Sequence, residues 1–316
     1  MIKLDVVVVN WNAGNQLRDC LQSIQVTCSA STYQVSKCVV VDNASIDGST
    51  DSLESITLPL RLLKNPENKG FGCASNQGAA VGNSEYIIFL NPDVRLYKDS
   101  LTKSLLFLEK PQNKQIGILG IQLVKRYGEV HRNAARFPTP GSLFYEMLGM
   151  DRVCPTRFPP RNMTDWDHQE NRYVDHVEGS FFLVRRSIFE ELSGFDERFF
   201  LYFEDVDFSF RAKQAGWKSF YLADSQAFHR GGGTTDRIKA RRLFYWFKSR
   251  LQYVTKHFGR LAAWGILIAS LSLEFWARTC INIIKLKWQY LFETLQAYGM
   301  YVKAIPQLLR ELNGRN

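Results

Sequence analysis

Tyr86-Ile87-Ile88-Phe89-Leu90-Asn91-Pro92-Asp93 is an unbroken apolar run that stops in an acidic turn. The run is too short for a stable helix. Its lack of any polar position means that both faces are covered, as in a strand inside an α/β sheet. The same unit recurs around it. Strands are expected at residues 4–9, 37–41, 60–63, 86–90 and 116–123, each rich in Val, Ile and Leu. Helices are expected between them, at about 15–27, 49–56, 70–82 and 98–109. Alternation of this kind predicts an α/β fold with a mostly parallel, doubly wound sheet flanked by helices. Ligands of such sheets collect at the carboxyl ends of the strands.

The turn that ends the 86–90 strand suits that position. Magnesium and manganese ions want carboxylate oxygens and accept substrate phosphates as further ligands. Asp93 offers such an oxygen, and Pro92 fixes the backbone beside it. Taken alone, an Asn-Pro turn is ordinary.

Upstream, Asp42-Asn43-Ala44-Ser45 follows Val39-Val40-Val41 and puts a carboxylate where a base or ribose can be held, although Asx residues also shape turns. Gly70-Phe71-Gly72-Cys73-Ala74-Ser75-Asn76 has the look of a dinucleotide fingerprint and fails it, because Ser75 stands at the third glycine position. It still reads as a helix start able to approach a ligand closely.

Downstream, residues 126–173 hold Pro138, Pro140, Pro155, Pro159 and Pro160 and read as irregular. Order returns with a strand near 177–184, helices near 186–192 and 203–215, and a strand near 217–222. Phe203-Glu204-Asp205-Val206-Asp207-Phe208 opens the second of these helices. Acids are favoured there by the helix dipole, which accounts for surface carboxylates. It accounts less well for carboxylates set among aromatics, where raised proton affinity suits a general base. His229 precedes Gly231-Gly232-Gly233, a segment expected to close over a substrate. A single histidine is otherwise most often structural.

The net charge of +9 is uneven: residues 1–229 hold 25 Lys/Arg against 27 Asp/Glu, and residues 230–316 hold 15 against 4. A near-neutral body with a basic, aromatic, helical tail predicts a polyanionic partner for the tail alone. Residues 261–273 are uncharged, which is short of the ~20 a spanning helix needs. A helix lying in an anionic interface fits that length better, and a bundle packed on the body is the plain alternative. The six cysteines form no Cys-x-x-Cys pair, so a zinc ribbon or redox motif is not supported and a reducing compartment is expected. No leader is expected, since Val6-Val7-Val8-Val9 is too short for one.

The order of these signals is more specific than any one of them. Asn10-Trp11-Asn12, Val41-Asp42-Asn43-Ala44-Ser45, Asn68-Lys69-Gly70-Phe71-Gly72 with Asn76, Asn91-Pro92-Asp93, Phe203-Glu204-Asp205-Val206-Asp207 and His229 together resemble the inverting GT-A glycosyltransferases of family 2. With Arg136-Phe137-Pro138-Thr139, the likeness is greatest to bacterial rhamnosyltransferases. The resemblance spans roughly residues 4–233. It implies a GT-A, Rossmann-like catalytic domain over 1–233, with a nucleotide-sugar half at 1–125 and an acceptor half at 126–233. Residues 234–316 would be a helical, basic, membrane-associating extension.

By the same resemblance Asn10, Asp42 and Asn43 hold the nucleoside, and Gly70 and Asn76 line the same pocket. Asp93 and His229 hold Mg²⁺ or Mn²⁺, Asp205 is the general base, and Glu204 orients the acceptor. Asn91 departs from the family's usual first Asp, which weakens charge pairing with the cation. The implied donor is a nucleotide-diphosphate sugar, with dTDP-rhamnose favoured over a UDP-hexose. The implied acceptor is a glycan or polyprenyl-diphosphate-linked sugar. The implied place is the cytoplasmic, inner face of the membrane, on an anionic surface.

Other functions fit less. A processive polysaccharide synthase needs several spanning helices and Gln-x-x-Arg-Trp, and a sugar-phosphate nucleotidyltransferase needs a Gly-rich basic loop after its first strand. Neither is present. A nucleic-acid-binding protein would explain the basic tail and leave the acidic motifs without a role, so no nucleic-acid partner is expected.

Overall fold

The structure, a computed structural model, describes residues 1–28, 32–51, 53–231 and 238–312. It forms two compact units, one of Met1–Phe137, Trp166–Phe200 and Glu204–Thr234, the other of Pro138–Asp165, Leu201–Phe203 and Thr235–Asn316.

The first unit is built on one sheet. Strands β1 (Ile2–Asn10), β2 (Tyr33–Asp42), β3 (Leu60–Lys64) and β4 (Tyr86–Leu90) run parallel in the order β3-β2-β1-β4. Whereas the leucines of the outer strand β3 are partly exposed, the apolar residues of β1, β2 and β4 are buried on both faces, as the unbroken hydrophobic runs require; Val6, Val8, Val39, Val40 and Ile88 are wholly inaccessible. Each such side chain contributes about 1.5–3 kcal/mol on burial. Helices α1 (Asn15–Thr27), α2 (Phe71–Ala79) and α3 (Ser100–Glu109) complete the alternation. Gly78 lets α2 lie close on the sheet, because a Cβ there would come within 2.4 Å of Val7 Cγ1.

Past β4 the sheet becomes mixed. Strand β6 (Ile116–Val124) pairs with β11 (Phe181–Arg185), which runs antiparallel to both β4 and β6. Strand β12 (Lys218–His229) runs parallel to β6 and continues well beyond the expected end near 222, because its last residues pair with a strand not foreseen from sequence, β5 (Val94–Leu96). The stretch expected to be irregular, 126–173, contains β7 (Val130–His131) against β6 and β8 (Ala134–Ala135), and at its end β9 (Arg172–Val174) against β12; β10 (His176–Val177), just beyond it, pairs with β8. Between them lie helices α4 (Pro140–Met147) and α5 (Met150–Val153) of the second unit.

The helix expected at 49–56 does not form. Its described residues make turns, with the Asp47 carboxylate accepting from Ser49 N at 3.1 Å and Asp51 N bonding Gly48 O. Local side-chain hydrogen bonds of this kind compete with helix formation.

Helix α6 (Arg186–Glu191) follows β11, and α7 (Glu204–Gln214) precedes β12. Phe208 of α7 is fully buried against Phe182, Phe189 and Phe195 at ring separations of 5.3–5.8 Å. That aromatic cluster fixes the rotation of α7 about its axis, and so fixes which of its acids point where.

In the second unit α8 (Lys239–Ala269) breaks at Gly259, passes through a π-helical turn at Ser270–Glu274 into α9 (Phe275–Ile284), and is followed by α10 (Trp288–Leu312). Arg250 is buried, donates to Glu274 Oε2 at 2.7 Å, and lies 4.3 Å from the Trp246 ring centre. Arg278 holds the other Glu274 oxygen at 2.8 Å. Burial alone would raise the Glu274 carboxyl; the two guanidiniums outweigh it and hold it below its ordinary value. The run Lys239–Ile284 is long and apolar enough, by length and composition, to cross a membrane, with a best-window mean hydropathy of 1.3. Leu261, Ile268, Trp276, Ile284, Leu286 and Phe292 are exposed.

Candidate active site

The polar residues that end the parallel strands come first. Asn10 closes β1 and Asp42 closes β2 in direct register, so their side chains meet. Asn10 Nδ2 donates to Asp42 Oδ1 at 2.8 Å and also lies within 3.0 Å of Ser45 Oγ and 2.8 Å of Ser49 Oγ. Its Oδ1 is buried with no partner among the described residues. An orphan acceptor of that kind costs free energy unless a donor reaches it, which a ligand N–H or hydroxyl can do.

Asn43 and Gly70 are joined. Asn43 Nδ2 donates to Gly70 O at 3.0 Å, and its Oδ1 accepts from Asn65 Nδ2 at 2.8 Å. Gly70 has φ 85, and a Cβ there would strike Phe200 O at 2.3 Å, so no other residue fits. Asn76 is placed elsewhere. Its Nδ2 donates to Phe195 O and Glu197 Oε1, and its Oδ1 accepts from Phe195 N at 2.9 Å, so its amide clips α2 to the turn after α6.

Asp93 and His229 are brought together from far apart in sequence. Val94 pairs with His229 across β5 and β12, and Arg230 N donates to Asp93 O. His229 Nε2 then stands 3.3 Å from Asp93 Oδ1, with both side chains nearly buried. Burial would raise the Asp93 carboxyl, and the contact with His229 outweighs it and keeps it below the ordinary carboxylate range.

A divalent cation fits this pair. Adjacent corners of an octahedron with metal–ligand bonds of about 2.1 Å lie about 3.0 Å apart, close to the separation seen. Among the described residues no third His, Cys, Asp or Glu joins them in a ligand set. The cation would therefore draw the rest of its shell from a diphosphate and water. Gly232 and Gly233, read from sequence as part of a closing segment, lie outside the described residues.

The three acids of α7 have three separate fates. Asp207 is fully buried and accepts from Arg211 Nε at 2.8 Å, while Arg211 also holds Leu192 O and Gly194 O. That acid anchors the helix. Glu204 is 6% exposed and its Oε2 has no partner among the described residues. Burial, with the neighbouring Asp205 charge added, pushes the Glu204 carboxyl well above its ordinary range. Asp205 is half-buried. Its Oδ2 accepts from Gly179 N and its Oδ1 from Val206 N, both at 2.8 Å. Burial pushes it up to about 6; the Glu178 charge adds to the rise and the two backbone donors oppose it. A carboxylate ionised just below neutral pH, with a free lone pair on each oxygen, can take a proton.

One segment ties these clusters together, and nothing in the sequence singled it out. Glu178, Gly179 and Ser180 precede β11 in the chain. Glu178 Oε2 lies 3.4 Å from His131 Nε2, and His131 Nδ1 lies 3.0 Å from His229 Nδ1. Gly179 N holds Asp205 and Ser180 O accepts from Asn91 N. The only sequence signal for it was negative, a carboxylate just ahead of an apolar strand where a charge must find a partner.

Comparisons with known proteins bear on the family and the fold. The sequence profile described as "Glycosyl transferase family 2" matches residues 5–193. The N-acetylglucosaminyl-diphospho-decaprenol L-rhamnosyltransferase of Mycobacterium tuberculosis is 31% identical over 262 residues, covering 78% of this chain and 82% of that protein. Rhamnosyltransferase WbbL of Escherichia coli is 27% identical over 197 residues, 59% of this chain and 70% of that one. In fold, the chain is similar to the mannosyltransferase PcManGT of Pyrobaculum calidifontis, solved with GDP-Man and Mn²⁺, at a TM-score of 0.54 and 15% identity over 96% of this chain and 86% of that one.

Proposed function

Because the chain belongs to glycosyl transferase family 2 and moves sugar from a nucleotide-sugar donor, we propose that it transfers one rhamnose from dTDP-rhamnose, with inversion, to a hydroxyl of a lipid-linked glycan intermediate. The observation that carries this reading is the 178–180 segment, which touches the Asn91–Asp93 turn, the His131–His229 pair and Asp205 within three consecutive residues. Rhamnose and the polyprenyl-diphosphate acceptor are supported by the names of the mycobacterial and Escherichia coli relatives.

Asn10, with Asp42 beside it, presents its unpartnered Oδ1 to a base or ribose donor. Asn43 and Gly70 hold the backbone of the pocket wall, and Asn76 keeps α2 in place behind it. Asp93 and His229 hold Mg²⁺ or Mn²⁺, which when bound neutralises charge on the departing nucleoside diphosphate. Asp205 accepts the hydroxyl proton as the acceptor oxygen attacks the anomeric carbon from the face opposite the leaving group, so the configuration inverts. Glu204, beside it, orients the acceptor.

Residues 1–233 carry the chemistry and residues 234–316 carry membrane attachment. The exposed apolar side chains at Leu261, Ile268, Trp276 and Ile284 lie on helices flanked by Arg260, Arg278, Lys285 and Lys287. Apolar insertion with basic flanks suits the anionic inner leaflet, where a lipid-linked acceptor is met.

The test is to supply dTDP-rhamnose, UDP-glucose and UDP-N-acetylglucosamine in parallel to purified protein with polyprenyl-diphosphate-linked N-acetylglucosamine and Mn²⁺. Rhamnose in the lipid product, with inverted anomeric configuration by NMR, is the expected result. Transfer of a hexose from UDP in its place would overturn the donor assignment and keep the family.

A further inference from the structure

Asp93, His229, His131 and Glu178 form a continuous line of contacts, of which the sequence motifs include only the first two. Taking Asp93 and His229 as the cation pair proposed above, we propose that His131 is a positioning residue, which with Glu178 behind it locks His229 in one tautomer and turns the Nε2 lone pair toward Asp93.

With Nε2 of His229 turned to a cation, these contacts leave one arrangement of protons. The Glu178 carboxylate is an acceptor only. His131 Nε2, 3.4 Å from Glu178 Oε2, therefore carries the hydrogen. A neutral His131 then has a bare Nδ1. His229 Nδ1 stands 3.0 Å from that atom and must be the donor. The remaining nitrogen of His229, Nε2, is left with its lone pair facing Asp93 Oδ1 at 3.3 Å. Two acceptors at that distance repel unless a positive charge is shared between them.

The scaffold is stiff enough to enforce this. The two imidazoles are parallel to within 2° with centres 4.9 Å apart. His131 comes from β7 and His229 from the end of β12, and these strands pair with β6 from opposite sides, so neither ring is on a free loop. Histidines that bind metals are commonly oriented by a partner accepting the other ring N–H, and loss of that partner typically costs 10–100-fold in metal affinity. Here an imidazole fills that role and is itself backed by a carboxylate.

Two measurements on the full-length protein test it. Two-bond ¹H–¹⁵N spectra of histidine-labelled protein, with the His229 signals identified by their loss in His229→Gln, report the tautomer without metal or turnover. Wild type should show Nδ1–H at His229, His131→Ala should lose that preference, and His131→Asn, whose Oδ1 replaces the accepting Nδ1, should restore it. Titration of Mn²⁺ in the presence of dTDP, followed by the EPR signal of free Mn²⁺, should weaken about 10–100-fold in His131→Ala and recover in large part in His131→Asn.

A neutral His229 protonated on Nε2 in wild type overturns the proposal, as does unchanged Mn²⁺ affinity in a folded His131→Ala. A lower Tm in His131→Ala with neither tautomer nor affinity moved leaves only a packing role and also overturns it. If wild type shows the Nδ1–H form yet takes up no Mn²⁺ with dTDP, the cation assignment of Asp93 and His229 fails instead, and with it the purpose given to His131.

Discussion

Replacing Asp205 by Asn should move catalysis and stability in different ways, and the structure sets the size of each. Asp205 goes from an ordinary value of 3.8 to about 6, a gap of about 2.2. At 1.36 kcal/mol for each tenfold in proton affinity, holding the charged form costs at most about 3 kcal/mol. The side chain is half-buried, and solvent screening brings this to about 1.5 kcal/mol.

The sign follows from linkage. The folded protein binds this proton more tightly than the unfolded chain does, so the cost is absent below 3.8, grows as pH rises toward about 6, and is constant above it. Asn escapes that cost, but it has one carbonyl oxygen where the carboxylate accepts from both Gly179 N and Val206 N. One of those N–H groups then faces an amide NH₂, a loss of about 1–3 kcal/mol. The variant should therefore be less stable than wild type at pH 4 and close to it at pH 7.5.

Turnover should fall by ~10²-fold or more, the worth of a general base. Nucleotide binding with Mn²⁺ should be unchanged, because the lost contact is made only as the bond forms. Wild-type activity should rise with pH through about 6 as Asp205 ionises. Calorimetric Tm at the two pH values, isothermal titration of dTDP with Mn²⁺, and turnover on a lipid-linked acceptor measure all of this. Near-normal turnover in the Asn variant refutes Asp205 as the base. A stability gap that does not change between pH 4 and 7.5 refutes the buried-charge account.

Other variants probe the remaining parts. Asp93→Ala should weaken dTDP binding in Mn²⁺ as well as rate, and EDTA should abolish transfer by wild type until Mg²⁺ or Mn²⁺ is restored; full activity in EDTA would remove that role from Asp93 and His229 together. Gly70→Ala puts a Cβ 2.3 Å from Phe200 O at a φ of 85, so it should lower stability by more than about 1 kcal/mol; a Tm within a degree of wild type would contradict the close approach. Trp276→Glu with Ile284→Glu, both exposed, should reduce co-sedimentation with anionic liposomes without lowering Tm, and high salt should weaken the intact protein's attachment. Undiminished attachment would place the membrane surface elsewhere.

What the sequence made legible is what local chemistry determines. Strands β1, β2 and β4 were visible as apolar runs because both of their faces are buried, and the polar residues that stop them, Asn10, Asp42 and Asp93, were visible as their ends. Strand β5 and the end of β12 were not, because Val94–Leu96 and residues 227–229 pair with each other. The turns at 49–56 replaced a helix for a similar reason: Ser49 spends its hydroxyl on Asn10 and its N–H on Asp47, partners that a hydrophobic pattern does not reveal.

The site divides along the same line. Asp205, Asp207 and Glu204 look equivalent in sequence, and their different surroundings are Arg211, Gly179 N and an apolar enclosure, all brought by the fold. Glu178 and His131 are 47 positions apart in the chain and belong to no run or repeat. Each acquires meaning only because β7 and β11 pair with the same edge of β6, one beyond the other, opposite β12. Spacing along a chain exposes residues that act through one local element. It cannot expose a line of four side chains drawn from four segments, and in this protein that line connects the proposed cation pair to the loop that holds the base.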